Sequence, residues 1–286
     1  MSGEIRFQSR DGLNLYAKSY GPVDAELTVL CLHGLTRNHK DFEPLIEKLS
    51  PNHRYIGLDV RGRGQSERDP NSSNYRLDIY TQDIQELLKV LTYKKLVLIG
   101  TSMGGLLSLI LSQILSEELV GVVLNDVGPK LEKIGLDRIA GYVGSFIEHD
   151  SWEDAALAVQ KSQISAFPDF KFEDWLAFAK RTHRKLENGK IVLDYDPAIA
   201  ESLKNIQIDV SAEMQTWALF AATYKRPLLV IRGEISDLFS SDTAAKMVHR
   251  HGRATIVTVP NTGHAPILDE PICVKSIEKF LRKLED

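Results

Sequence analysis

The sequence predicts an α/β fold: a doubly wound, mostly parallel sheet of eight strands, with a helical cap inserted after the sixth. Three observations predict it. Short apolar runs alternate with stretches of helical periodicity through the first 125 residues. That alternation stops near Lys130, and strand patterns resume only at Pro227. Finally, Asp11-Gly12 lies between two short β-like runs, so the sheet opens as an antiparallel hairpin.

In chain order, the hairpin strands lie near Ile5–Gln8 and Leu13–Ser19, and further strands near 28–32, 54–59, 95–100 and 120–125. Helical patterns fall near 40–49, 77–92 and 103–116. In the second of these Leu77, Tyr80, Ile84, Leu87, Leu88 and Leu91 recur at helical spacing, which gives one face to pack on the sheet. Residues 130–225 read as helices rich in alanine and aromatic side chains, and Pro227–Arg232 and Ala254–Val259 supply the last two strands. The domain reading is therefore a core of 1–129 and 226–286 with a cap of 130–225. Trp152, Trp175 and Trp217 are the cap's candidate pocket residues, although such aromatics more often form a subdomain's own core.

The densest chemical signal is Gly100-Thr101-Ser102-Met103-Gly104-Gly105, set between the apolar run Leu96–Ile99 and the helical stretch from Leu106. It reads as a strand, a sharp turn with serine at its apex, and a helix. Side chains at 100 and 104 would collide with the neighbouring helix and strand, so glycine is required there. The Ser102 hydroxyl is pushed out at a helix N-terminus, where the Met103 N–H and the helix dipole favour an oxyanion. A hydroxyl is a weak nucleophile unless a histidine takes its proton and a carboxylate orients that histidine. His264 follows the Ala254–Val259 strand, and Asp237 follows the strand beginning at Pro227. Asp126, at the end of the sixth strand, is the competing carboxylate.

The order Ser102, Asp237, His264 is that of the α/β-hydrolases, and further motifs resemble the same superfamily. Leu27–Leu32 followed by His33-Gly34-Leu35 is similar to the family's strand ending in His-Gly, which implies that Leu35 gives the second oxyanion N–H. Asp59-Val60-Arg61-Gly62-Arg63-Gly64-Gln65-Ser66 resembles its D-x-R/P-G-x-G-x-S loop, and Gly263-His264 its G-H signature. The resemblance is closest to the esterase-like and C–C hydrolase-like branches. Serine at position 102 separates the chain from haloalkane dehalogenases and epoxide hydrolases, which need aspartate there, and from dienelactone hydrolases, which need cysteine. Gly34–Asn38 lacks the G-x-G-P-G-type pattern of ring-cleavage C–C hydrolases, with Arg37 as a candidate pocket residue in that loop.

Composition is that of an ordinary soluble protein: 286 residues, 43% hydrophobic and 26% charged. A net charge of -4 with scattered Lys and Arg argues against nucleic acid, and no run is long and apolar enough for a membrane span. Cys31 and Cys273 read as buried free thiols, which with the absence of an apolar leader implies a cytoplasmic setting.

Other polar residues have plainer readings. His33 holds the oxyanion turn, and Asp59 and Arg61 tie their loop together. His39 and His249–His251 are solvated helix ends with no metal spacing, and Arg181–Lys185 is a wet face of a cap helix. The expected activity is hydrolysis of a small-molecule carboxylic ester in a roofed, mostly apolar pocket, with no metal and no organic cofactor. Cleavage of a lactone or of a C–C bond in a vinylogous β-diketone are the alternatives, as is a receptor with little turnover. The sequence does not fix an oligomeric state.

Overall fold

The structure is a computed structural model describing residues 2–115, 117–204 and 210–285, so positions 205–209 of the expected cap lie outside the described residues. All eight expected strands are found in one sheet. β1 (Ser2–Gln8) and β2 (Asn14–Tyr20) form the hairpin, with Gly12 of its loop at φ +89°. β3 (Leu27–Leu32), β4 (Arg54–Asp59), β5 (Lys95–Thr101) and β6 (Leu119–Asn125) follow, and β9 (Leu228–Gly233) and β10 (Ala254–Val259) complete the sheet. The order across it is β1-β2-β4-β3-β5-β6-β9-β10; β2 runs antiparallel to β4 and every pair from β4 to β10 is parallel.

Pleating sorts the strand residues onto two apolar layers. Leu30 and Leu32 of β3, Leu96 and Leu98 of β5, and Val122 and Leu124 of β6 face one layer. Val29 and Cys31, Val97 and Ile99, and Val123 face the other. The first layer takes α2 (Leu77–Val90), α3 (Met103–Ile114) and α9 (Ser241–His251); the second takes α10 (Pro271–Arg282) and α1 (Glu43–Ile46). Both cysteines are buried free thiols, Cys31 in β3 and Cys273 in α10. The expected helix at 40–49 is shorter, a 3₁₀ turn over His39–Phe42 running into the single turn of α1. Among the described residues no helix is long and apolar enough to cross a membrane.

Between β6 and β9 lie α4 (Lys133–Ala140), α5 (Trp152–Gln163), α6 (Phe172–Thr182), α7 (Ala200–Lys204) and α8 (Val210–Ala221). The expectation of helices alone is corrected by a small hairpin, β7 (His183–Lys185) with β8 (Ile191–Leu193). Its turn holds Asn188 and Gly189, the latter at φ +86°, an Asn-Gly turn signal flanked by runs too short to read as strands. Arg181–Lys185 is therefore no wet helix face: α6 ends at Thr182, and Thr182 and His183 are buried. His39 and His251 are also buried rather than solvated. His39 packs over Gly57 and meets Asp59, and His251 sits against Phe220 and Tyr224.

The loop after β4 is organised by Arg61, whose side chain is out of water and binds three aspartates. Its Nε and Nη2 donate to both oxygens of Asp83 (2.6 Å each), Nη1 donates to Asp69 (2.5 Å), and Nη1 and Nη2 reach Asp11 in the first hairpin. Removing the cation would leave carboxylates buried without a counter-charge. Arg61→Met is expected to lower unfolding stability by about 3–5 kcal/mol, measured by urea denaturation. A loss under about 1 kcal/mol would show that the network is dispensable.

Candidate active site

The parallel strands β5, β6, β9 and β10 all end on one edge of the sheet, where loops from neighbouring strands converge. Thr101 closes β5 and Met103 opens α3, so Ser102 alone makes the turn, at φ 52° and ψ -114°. Such a conformation costs an L-residue about 1–3 kcal/mol, and the surroundings impose it. A Cβ at Gly104 would overlap the Leu32 carbonyl of β3, and one at Gly100 would overlap the Gly104 carbonyl and approach Ser108 Oγ. The Ser102 N–H is held by the Asn125 carbonyl at 3.0 Å.

The Ser102 hydroxyl lies 2.9 Å from His264 Nε2, and His264 Nδ1 lies 2.8 Å from Asp126 Oδ2. A carboxylate only accepts, so Nδ1 carries the hydrogen and Nε2 is left to accept from Ser102. Asp126 is buried; its Oδ1 also accepts from the Gly233 N–H (2.8 Å) and its Oδ2 from the Ser236 hydroxyl (2.6 Å). The Asn125 side chain donates to the Pro266 carbonyl at 2.7 Å, and the Gly263 N–H donates to Ala166 of the cap at 2.6 Å. The His264 loop is thus fixed from both sides.

Asp237, the preferred carboxylate from sequence, is not the partner of His264. The turn after β9 directs Ser236 inward to Asp126 and carries Asp237 outward to α4, where Arg138 binds it with two hydrogen bonds of 2.5 and 2.8 Å. Burial alone would push the Asp237 carboxyl up, but the Arg138 guanidinium holds it below the ordinary carboxylate range. Both aspartates satisfy the same chain order. Only the reach of the turn separates them.

Leu35 and Met103 border the Ser102 hydroxyl, and neither N–H has an acceptor among the described residues. The loop carrying Leu35 is set by two buried side chains. His33 bonds the Gly34 carbonyl through Nδ1 (2.7 Å) and accepts from the Val60 N–H at Nε2 (3.1 Å), while Arg63 Nε donates to the Leu35 carbonyl at 2.9 Å. Burial pulls the His33 pKa down to about 4, so the ring stays neutral and keeps its acceptor.

Two cavities meet at Ser102 and Leu35. One, of about 300 Å³, contains His264 together with Arg37, Asp41, Tyr142, Gln163, Arg181 and His183, with Phe167 and Phe178 beside them. The other, of about 730 Å³, is bounded by Met103, Leu106, Val127, Leu131, Leu136 and Leu238, together with Tyr75, Arg76, Asp78 and Glu201. The single pocket expected from sequence is corrected to two lobes, both mostly apolar, and the first carries Arg37, Asp41 and Arg181 beside His264. Of the candidate pocket residues Arg37 lines the first lobe, but Trp152, Trp175 and Trp217 line neither. Trp175 is completely buried among Phe167, Phe170 and Phe178, with Trp152 packed on that cluster, and Trp217 lies under Arg250 at 4.2 Å. Their apolar area stabilises the cap itself. Sequence reasoning missed Arg181 and Tyr142, for which no spacing signal exists, and Ser236, one residue from the aspartate it favoured.

Comparison with known proteins agrees with this architecture. Residues 28–271 match the family model of the alpha/beta hydrolase fold. The chain is 32% identical to 3-hydroxybutyrate-oligomer hydrolase of Cupriavidus necator, covering 97% of this chain and 96% of the relative. It is 27% identical to 2-(acetamidomethylene)succinate hydrolase of Mesorhizobium japonicum, covering 94% and 91%. A crystal structure of an alpha/beta hydrolase from Novosphingobium aromaticivorans superposes with a TM-score of 0.91 at 40% identity, covering 99% and 98%.

Two outcomes are expected. Fluorophosphonate labelling of Ser102 should slow on the order of 10³-fold in Asp126→Asn, which loses the correct imidazole tautomer, and only a few-fold in Asp237→Asn. The reverse ranking would restore Asp237 as the acid. Separately, the unfolded chain takes up the His33 proton below the ordinary 6.5 while the native ring resists until about 4. Stability should therefore fall as pH drops through that window, by about 3 kcal/mol from this group. Urea denaturation across the window should show a shallower pH slope in His33→Asn, by about one proton. An unchanged slope would refute the assignment.

Proposed function

The chain belongs to the α/β-hydrolase family, and from that membership and the site geometry we propose a serine hydrolase that cleaves small-molecule carboxylic esters through an acyl-enzyme. Ser102 Oγ attacks the ester carbonyl carbon as His264 Nε2 takes its proton. Asp126 holds the imidazole tautomer and stabilises the imidazolium, and the N–H groups of Leu35 and Met103 receive the oxyanion. The carbon–oxygen bond to the leaving alcohol then breaks, with the proton on Nε2 passing to the departing oxygen. Water, deprotonated by His264, attacks the acyl-enzyme, and collapse returns Ser102 to its starting state.

The observation that carries this reading is the continuous relay from Ser102 through His264 to Asp126, at 2.9 and 2.8 Å, beside two N–H groups without acceptors. The full-length relative named for hydrolysis of 3-hydroxybutyrate oligomers supports ester chemistry over the C–C alternative. An assembled relay also disfavours a receptor without turnover, whose imidazole would have no reason to be held in one tautomer. Asp237 has a structural part in this scheme, joining α4 of the cap to the core through Arg138.

A short-chain aryl ester should be hydrolysed with an initial burst of phenol equal to the enzyme present. Ser102→Ala should lose on the order of 10³-fold or more in kcat with its fold unchanged by circular dichroism. Ordinary turnover by Ser102→Ala, or cleavage of a vinylogous β-diketone without any ester turnover, would overturn the ester assignment.

A further inference from the structure

The two lobes at Ser102 differ in the group that a leaving alcohol needs. Collapse of the tetrahedral intermediate requires the proton on His264 Nε2 to reach the departing oxygen, so the alcohol must lie on the His264 side. His264 borders the first lobe and is absent from the lining of the second. The acyl group is then left to the second lobe, along Met103 and Leu106 of α3 and Val127 after β6.

The lobe at His264 also carries an uncompensated charge. Arg37 and Arg181 flank the same Phe178 ring, with guanidinium carbons 4.0 and 5.8 Å from its centroid. Arg37 is engaged with Asp41 through two hydrogen bonds of 2.6 and 2.7 Å. Arg181 has no carboxylate at ion-pair distance among the described residues; Asp41, Asp174 and Asp269 act on it only from farther away. Burial lowers the Arg181 pKa, the cost of holding a cation away from water without a partner. The Asn38 side chain fixes the Arg181 backbone carbonyl at 3.0 Å, and His183, two residues on, is held neutral by burial, at about 4. Guanidinium is the side chain whose planar donors match a carboxylate.

Resting on the ester reading, we propose that the preferred substrates are esters whose leaving alcohol bears a free carboxylate, which seats on Arg181 while the acyl chain fills the second lobe along Met103 and Leu106. The Ser102 Oγ–acyl bond forms and the ester carbon–oxygen bond breaks. The alkoxide takes the His264 proton, and a hydroxy carboxylate leaves from the Arg181 side. Water then releases the acyl group as a second carboxylic acid. The carboxylate fixes which end of the molecule enters which lobe.

Two measurements test this. In the Ser102→Ala background, which cannot turn over, 3-hydroxybutyrate and its primary amide are titrated calorimetrically. The acid should bind about tenfold or more tightly than the amide, the preference should vanish in Arg181→Gln, and Arg181→Lys should recover part of it. Equal binding of acid and amide, no binding of the acid, or a preference that survives Arg181→Gln overturns the proposal. In the wild-type enzyme, an ester carrying its carboxylate on the alcohol should exceed an isomer carrying it on the acyl part by about tenfold in kcat/KM, chiefly through KM. The opposite preference overturns the orientation. Failure of ester turnover together with a normal binding result would instead reject the ester reading alone.

Discussion

The site depends on how closely the start of α3 approaches β3 and β5. At Gly104 the helix backbone lies against the Leu32 carbonyl, and at Gly100 the strand lies against the Gly104 carbonyl and Ser108. No side chain fits between them. That contact forces Ser102 into its left-handed backbone conformation and turns its hydroxyl out of the sheet. It also leaves the N–H of Met103, the first of α3, without an acceptor among the described residues, at a cavity that Leu35 lines too. One packing constraint therefore sets the hydroxyl and one candidate oxyanion donor together, while His33 and Arg63 hold the loop of the other.

Around this frame the polar groups are buried but accounted for. Asp126 ends a central strand with no exposure, which is tolerable because the Gly233 N–H, the Ser236 hydroxyl and His264 all donate to it. Those donors come from the end of β9, the turn after it and the loop after β10, so the carboxylate locks all three to the end of β6. His33 and Arg63 do the same for the Leu35 loop: His33 bonds the Gly34 carbonyl, whose peptide carries the Leu35 N–H, and Arg63 bonds the carbonyl of Leu35 itself. A preorganised site of this kind gives up little when charge develops on a substrate oxygen, since its dipoles are already oriented.

What the sequence made legible follows from the range of the interactions. The elbow, the hairpin, the eight strands and the position of His264 all rest on neighbours within a few residues or on local periodicity. The identity of the acid did not, because Asp126 and Asp237 both follow strands and both lie between Ser102 and His264 in the chain. Their separation rests on the turn after β9, which carries Asp237 outward to Arg138, 99 residues away, and Ser236 inward to Asp126. The tryptophans failed for a related reason: a large aromatic is equally suited to a pocket wall and to the interior of a small cap, and the Phe167, Phe170 and Phe178 cluster claimed Trp175. Arg181 looked solvated because its stretch is basic, and Arg184 and Lys185 are exposed, but the ending of α6 at Thr182 and the start of β7 bury Thr182 and His183 beside it.

The segment between β6 and β9 is joined to the rest of the fold by polar contacts that converge on the loops of the candidate site. Arg138 meets Asp237, the Gly64 N–H donates to the Asp194 carbonyl, the Asp196 N–H donates to the Gly62 carbonyl, and Ala166 receives the Gly263 N–H. The loop carrying Arg63 therefore touches the cap on one side and the Leu35 carbonyl on the other, while the loop carrying His264 touches the cap one residue before its imidazole. An apolar cap resting on an apolar core could slide with little penalty, because hydrophobic contact is non-directional. Directional hydrogen bonds at these four points give the segment between β6 and β9 one seating, with Arg181 in the lobe on the His264 side. That segment is thereby part of the candidate site's geometry: the contacts that hold it also fix the loops carrying Leu35 and His264.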